Sequence, residues 1–306
     1  MEKIKLLYSK IAVGAYQIGF IEDNVYSVVY NDKKYKKVKW VDTMKYKGSW
    51  FADPFILNAD NNTIEVLAEE YVHSTGLGRI SLLSINRKSL ILNDVIPLLD
   101  LDTHLSFPYI IRKGERIFII PENNQSGGLH IYEYDAKSKS LINKKTLINK
   151  PLVDSQYIEL NGIHYIWGLP YANDNFENTK CVDIYRSINL WGPYTLFQTI
   201  KSEKKEKRGA GAIFELNGRL IRPTQCCEGG YGKGVIFWEI EFDESNYFVE
   251  KEIGKMRPHL DSKYPLQLHT YNEYNGLQVI DGYAYSKPIF RHVLNWKNKI
   301  LYAINR

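Results

Sequence analysis

Ala212-Ile-Phe-Glu-Leu-Asn-Gly218 is a short β run that ends in an Asn–Gly pair, and Arg219-Leu-Ile-Arg222 resumes the β pattern at once. Asn–Gly between two β runs is the strongest short hairpin signal, because both central residues of the tight turn need positive φ. The same form appears at Gln156-Tyr-Ile-Glu-Leu-Asn-Gly162 and at Thr270-Tyr-Asn-Glu-Tyr-Asn-Gly276. Variants are Phe107-Pro-Tyr-Ile-Ile111 with its turn at Lys113-Gly114, and Asp53-Pro-Phe-Ile-Leu57 with its turn at Asp60-Asn61-Asn62. From Asn61 through Gly114, Gly162, Gly218 and Gly276 the turns are spaced by 53, 48, 56 and 58 residues. A period near 50 with several short strands per unit is the signature of a propeller.

Five such units fit the 306-residue chain. The fold expected is therefore all-β, a single five-bladed β-propeller with repeats near 48–102, 103–150, 151–205, 206–258 and 259–306. Residues 1–45 then supply closing strands, with Tyr26–Tyr30 (YSVVY) and Val38–Val41 (VKWV) as candidates. Joining N- and C-terminal strands in one blade leaves the ring no free edge. A β-sandwich with coincidental hairpins is the competing reading. No linker or composition shift marks a second domain.

Composition narrows the function classes. The aromatics, Tyr 23, Phe 12 and Trp 6, make up 13% of the chain, which favours β architecture or a ring-stacking surface over disorder. No apolar run approaches about 18 residues, so no membrane-spanning helix is expected, and the N-terminus lacks a small-residue cleavage signal. Cys181, Cys226 and Cys227 form no disulfide framework and no zinc-ligand spacing, which fits a reducing cytoplasm. The net charge of +5 sits largely in Lys33–Lys39 and Lys201–Arg208, read as solvated loops. The rest of the chain is charge-mixed, without the basic groove that nucleic acid requires.

In a propeller the first strand of each repeat lines the central channel, so polar groups at its start are functional candidates. Those positions read Ala52-Asp53-Pro54, His104-Leu105-Ser106-Phe107, Val153-Asp154-Ser155, Arg208-Gly209-Ala210-Gly211 and Gln267-Leu268-His269. Paired carboxylates at one pocket are the minimum equipment for acid–base work on a glycosidic bond. Asp53 and Asp154 come from different repeats, and Glu122 and the Glu69-Glu70 pair close second strands. Each has a plain alternative as a turn residue, a cap or a solvated strand end. Arg208 and Arg222 offer forks for phosphate or carboxylate, and Gln225 opens a glycine-rich stretch in which Tyr231 could stack on a sugar. Trp50 and Phe107 are further stacking candidates. Cys227 lacks a nucleophile's partner, and the scattered histidines make no metal set.

These residues carry a resemblance. Phe51-Ala-Asp-Pro-Phe55, His104-Leu-Ser-Phe-Pro-Tyr109, Ile120-Pro-Glu122, Gly192-Pro-Tyr194, Gly218-Arg-Leu-Ile-Arg-Pro223 and Tyr231-Gly232 resemble the N-terminal propeller-like region of plant glucosamine inositolphosphorylceramide transferases and stand-alone bacterial relatives. The resemblance implies a glycan context, in bacteria one of cell-surface glycan biosynthesis. It does not imply the transferase chemistry, which in the plant proteins belongs to a separate C-terminal domain. More distantly, the pattern is similar to five-bladed glycoside hydrolases of family 43. That likeness implies Asp53 as base and Asp154 as the group tuning an acid. The acid Glu belongs at the start of repeat four, where this chain has Gly209.

Two functions of different class follow. In the first, an enzyme acts at a sugar anomeric centre, with Asp53 as base or nucleophile, Glu122 as acid and Asp154 tuning it. Glu70, His104, Arg208, Arg222, Gln225, Tyr231 and His269 would hold substrate, and neither cofactor nor metal is called for. In the second, a non-catalytic module binds a glycan or nucleotide sugar, or serves as a platform for a partner glycosyltransferase.

Overall fold

The structure, a computed structural model, describes residues 14–30, 35, 37–171, 180–204, 206–259 and 262–285. Its first elements are β1 (Gly14–Ile21), a helix α1 (Val25–Tyr30) and β2 (Val38–Trp40). Blade one is β3 (Ser49–Ala59), β4 (Thr63–Val72), β5 (Leu77–Asn86) and β6 (Leu92–Leu99). Blade two is β7 (Ser106–Lys113), β8 (Arg116–Glu122), β9 (Leu129–Asp135) and β10 (Ser140–Ile148). Blade three is β11 (Leu152–Leu160), β12 (Ile163–Pro170), β13 (Cys181–Ser187) and β14 (Thr195–Lys201). Blade four is β15 (Phe214–Leu216), β16 (Arg219–Gln225), β17 (Val235–Phe242) and β18 (Phe248–Met256). The fifth combines both ends of the chain in the order β19 (Tyr271–Tyr274), β20 (Leu277–Tyr285), β1, β2. All five sheets are four-stranded and their strand pairs antiparallel: a five-bladed propeller closed by N- and C-terminal strands.

The Asn–Gly turns do what their chemistry requires. Asn161, Asn217 and Asn275 sit at φ 52°, 52° and 50°, and the glycines after them at 76°, 76° and 80°. The aromatic excess has mostly a packing role. Phe55, Phe107 and Tyr109 pack together between blades one and two, and Tyr132, Tyr185 and Phe237 are buried on third strands. The Tyr109 hydroxyl donates to Tyr157 O at 2.6 Å, tying blade two to blade three. Phe107 is fully buried in this core, so it is not a sugar-stacking surface.

Two local expectations are corrected. Tyr26–Tyr30 lies in helix α1, not in a closing strand. Asn24 is the cause: its side chain accepts the Tyr26 N–H at 2.9 Å and its carbonyl the Val28 N–H at 3.1 Å, an N-cap that overrides the β preference of the run. The closing strand is instead β1, which pairs with β20 over eight residues from Gly14↔Tyr285 to Ile21↔Gln278. The second basic run is only half solvated: Lys204 is exposed, but Glu206 and Lys207 are buried and Arg208 is drawn into the channel. Of the first run, Lys33, Lys34 and Lys36 lie outside the described residues, as does the expected fifth repeat beyond Tyr285.

Candidate functional site: a carboxylate and aromatic funnel

One device recurs in the first three blades. The β3–β4, β7–β8 and β11–β12 ladders slip beside Asp53, Phe107 and Asp154, which sit at φ 48°, 43° and 43°. Such a bulge re-aims a side chain and leaves a backbone N–H unpaired. In each case a carboxylate takes that N–H at 3.2 Å: Asp281 Oδ2 for Asp53, Asp53 Oδ2 for Phe107 and Glu122 Oε2 for Asp154. The acceptor belongs to the preceding blade each time. Asp tolerates the left-handed region through its short polar side chain, whereas Phe107 is held there by its packing.

Around Asp53 the arrangement is closed. Oδ1 accepts the Thr270 hydroxyl at 2.6 Å and faces His269 Nε2 at 3.3 Å; Oδ2 holds the Phe107 N–H. His269 Nδ1 lies 2.8 Å from Asp281 Oδ2, off the direction of a hydrogen bond, so this is a contact of charges. Asp281 Oδ1 accepts the His269 and Thr270 N–H groups at 2.9 and 3.1 Å. Burial pushes the Asp53 carboxyl up to about 7, against the pull of His269. Burial alone would depress His269, but Asp281 and Asp53 lift it to about 9, an imidazolium held between two acids. Burial works against the Asp281 charge too, yet His269 and the backbone N–H groups keep its carboxyl low. Asp53, His269 and Asp281 could offer a cation three ligand atoms within 4.8 Å of one another, and such a cation would have to displace the His269 proton.

Asp154 lies in the same funnel. Its Oδ2 accepts from Arg208 Nε and from Gln225 Nε2 at 2.9 Å. Burial opposes its charge, yet Arg208 and a hydrogen bond from Glu122 hold it below the ordinary carboxylate range. Glu122 is pushed well above that range by burial and by the Asp154 charge. Glu122 therefore carries the proton of the pair, with Arg208 Nη2 3.8 Å away.

The rim is aromatic. Ring contacts run from Tyr71 to Trp50 (4.6 Å, 6° between planes), on to Tyr16 (5.3 Å) and His269 (4.7 Å), and then to Tyr231 (5.1 Å). The Arg208 guanidinium lies over Tyr231 at 5.2 Å. His104, with its side chain 41% exposed, meets Glu69 through Nε2 at 3.2 Å while Nδ1 accepts the Gly78 N–H at 2.9 Å. A cleft of about 740 Å³ opens beside Tyr231, lined by Lys180, Glu203, Lys204 and Cys227–Tyr231.

Of the residues singled out from sequence, Asp53, Glu122, Asp154, His104, Arg208, Gln225, Tyr231 and His269 thus come together. Glu70 and Arg222 do not. Glu70 accepts from Ser49, Ser81 and Arg79 between β3, β4 and β5, and strand alternation sends its neighbour Glu69 to the funnel instead. Arg222 is fully buried, donating to Gln156 Oε1 (2.8 Å), Glu250 Oε1 (2.5 Å) and Lys207 O (2.7 Å) beneath Trp167. All three guanidinium nitrogens are engaged and none is exposed to a ligand. Sequence reasoning chose Glu70 over its neighbour Glu69 and missed Asp281, Thr270 and Tyr16. An acid after Val279-Ile280 was a signal available for Asp281; Tyr16 had none, since β1 joins the ring only in space.

Gly209, where the family-43 resemblance asks for an acid, has no room for one. A Cβ there would lie 2.3 Å from Asp154 O, and its carbonyl accepts from Gln225 Nε2 at 3.1 Å.

The N-terminal family of glucosamine inositolphosphorylceramide transferase 1 matches residues 37–270. The chain belongs to this family. Curated members named glucosamine inositolphosphorylceramide transferase 1 are 27% identical over 200 residues in Oryza sativa subsp. japonica, covering 64% of this chain, and 26% identical over 209 residues in Arabidopsis thaliana, covering 67%. The matched part is 27% of each relative, so the chain corresponds to about a quarter of their length. Similar solved structures include a GH43 β-xylosidase/α-arabinofuranosidase from a compost microbial metagenome, at TM-score 0.52 and 11% identity over 72% of this chain and 80% of that one. A GH43_1 enzyme from Xanthomonas citri complexed with xylotriose has TM-score 0.52 and 10% identity over 70% and 76%. These likenesses establish the five-bladed fold, and membership places the chain in a carbohydrate-related family. Among the described residues no helix is long and apolar enough to cross a membrane.

Proposed function

We propose that the funnel binds a glycan or a nucleotide sugar without hydrolysing it, serving a glycosyltransferase activity carried elsewhere. The observation that carries this reading is the closure of Asp53. Both its oxygens are engaged by Thr270, His269 and Phe107, and its side chain is only 6% exposed. A base must reach water or substrate, whereas this carboxylate joins blades five, one and two. The crowding at Gly209 supports the same conclusion, since an inverting mechanism needs both a base and a protonated acid. Recognition falls to the groups that keep some exposure: Tyr231, Trp50 and Tyr71 for ring stacking, with Arg208, His104 and Glu122 for hydroxyls. The relatives' greater length and their name support a transferase partner. Bacterial cell-surface glycan assembly as the setting rests on the resemblance; the free cysteines support a reducing, cytoplasmic compartment.

One observation favours an enzyme instead: Glu122 holds a proton beside ionised Asp154, as an acid catalyst must. Titrating simple glycosides and nucleotide sugars against wild type, Tyr231→Ala, Asp53→Asn and Glu122→Gln separates the two. Binding by calorimetry that Tyr231→Ala weakens on the order of tenfold, with no product released, supports the module. Turnover by wild type that Glu122→Gln abolishes would establish the enzyme.

A further inference from the structure

The Gly192-Pro-Tyr194 motif has no place in the funnel. It lies in the loop between β13 and β14, at the other end of the blades. Phe107 N–H meets Asp53, and Lys113 ends the same strand six residues on, about 20 Å away. There the loop roofs a groove of about 270 Å³ between blades two and three, lined by Lys113, Arg116, Phe118, His164, Asn189 and Trp191 with Ile188 and Leu190.

We propose that this groove is a second site that takes one neutral sugar ring at the end of a glycan. Trp191 is partly exposed and held edge-on by Phe118 at 5.0 Å, so it offers a fixed aromatic wall. The motif braces that wall from behind: the Tyr194 hydroxyl donates to Leu190 O at 3.1 Å, and both residues pack into the core. His164 is 94% buried, yet it opens into the groove. Its Nδ1 is satisfied by the Tyr157 hydroxyl at 2.7 Å, while Nε2 has no partner among the described residues. Either tautomer leaves Nε2 as a hydrogen-bonding group facing the groove. Asn189 spends its Oδ1 on the Trp191 N–H at 2.9 Å, and its Nδ2 has no partner among the described residues. An aromatic plane flanked by such groups matches a pyranose, which has apolar C–H faces and a hydroxyl edge.

Charge argues for neutrality. Lys113 is paired with Glu159 and Arg116 with Glu133, so these two cations are balanced at the rim, while the Lys145 ammonium lies over the Trp191 ring at 5.4 Å. Exposed Ile188 (89%) gives the mouth an apolar lip. The volume holds a single ring, which places the site at a chain end. The choice of a sugar over other small polar ligands rests on the proposed function; the groove itself does not.

The test is ¹⁵N–¹H NMR of the Trp indole signals, with Trp191 assigned through Trp191→Phe, during titration with methyl glucoside and N-acetylglucosamine. A saturable shift of the Trp191 signal is expected. It should persist in Tyr231→Ala, and its affinity should fall on the order of tenfold in Asn189→Ala. Movement of the Trp50 signal alone overturns the groove and leaves the funnel standing. Movement of Trp191 alone supports the groove and removes the funnel. No response of Trp191 to either sugar, or an equal response to inorganic phosphate, overturns the proposal.

Discussion

His269 shows why burial and charge must be weighed together at single residues. Between Asp53 and Asp281 the proton on His269 is favoured in the fold, and its ordinary value is 6.5 against about 9 here. Its stabilisation is therefore complete below about pH 6.5 and is lost as pH rises through 9. Asp53, also raised, adds a loss in the same direction between its ordinary 3.8 and about 7. Thermal melts should show Tm falling across pH 6.5–9, for a loss of order 3 kcal/mol, and His269→Gln should flatten that limb. A Tm that rises over this range would refute the assignment. Arg222 makes the opposite point. Its residue type suggested a ligand fork, but Glu250, Gln156 and Lys207 engage all three guanidinium nitrogens in the buried interior. Arg222→Met should cost roughly 3–5 kcal/mol in denaturant unfolding, because it breaks a buried pair, and should leave sugar affinity unchanged. Residue types were thus legible in the sequence, but their duties were not. Which face of β4 meets the channel assigns Glu69 to the funnel and Glu70 to Arg79, and neighbouring acids in a sequence look alike.

At the scale of elements, the three bulges matter more than the strands that carry them. Asp53 and Asp154 were recognisable as polar strand starts; that each is a left-handed residue latched by a neighbouring blade was not. Local sequence records no partner 32 residues away, as Glu122 is from Asp154, nor 228 away, as Asp281 is from Asp53. The start of blade four departs from the others, because Gly209 and Gly211 bring the backbone against Asp154 O and Tyr271 O. Gly209→Ala should therefore destabilise the protein by about 1–3 kcal/mol, read from the denaturant midpoint. Gly209→Glu should fold poorly and create no hydrolase; glycosidase activity in that variant would disprove the steric account. Helix α1 shows a local signal outweighed in reading: the YSVVY run favours a strand, but Asn24 caps a helix that buries Val28 and Val29.

For the whole molecule the decisive feature is closure. β20 finds its partner in β1, more than 250 residues earlier, and without that strand blade five would present a bare edge. A chain lacking residues 1–24 should aggregate or lose cooperative unfolding, seen by light scattering and a broadened melt; a monomeric, sharply melting truncation would show that closure is dispensable. The repeat itself needed no structure. Asn–Gly turns at a steady period announce hairpins, and five hairpin-led units of about 50 residues determine a five-bladed ring, because turn chemistry and strand period are local properties. The sequence by itself also placed acids, an arginine and a tyrosine at the channel. Only tertiary structure decided what those groups do, since burial raises Asp53 and Glu122, the charges of Asp281 and Asp53 hold the His269 proton, and residues from all five blades saturate or leave open their hydrogen bonds.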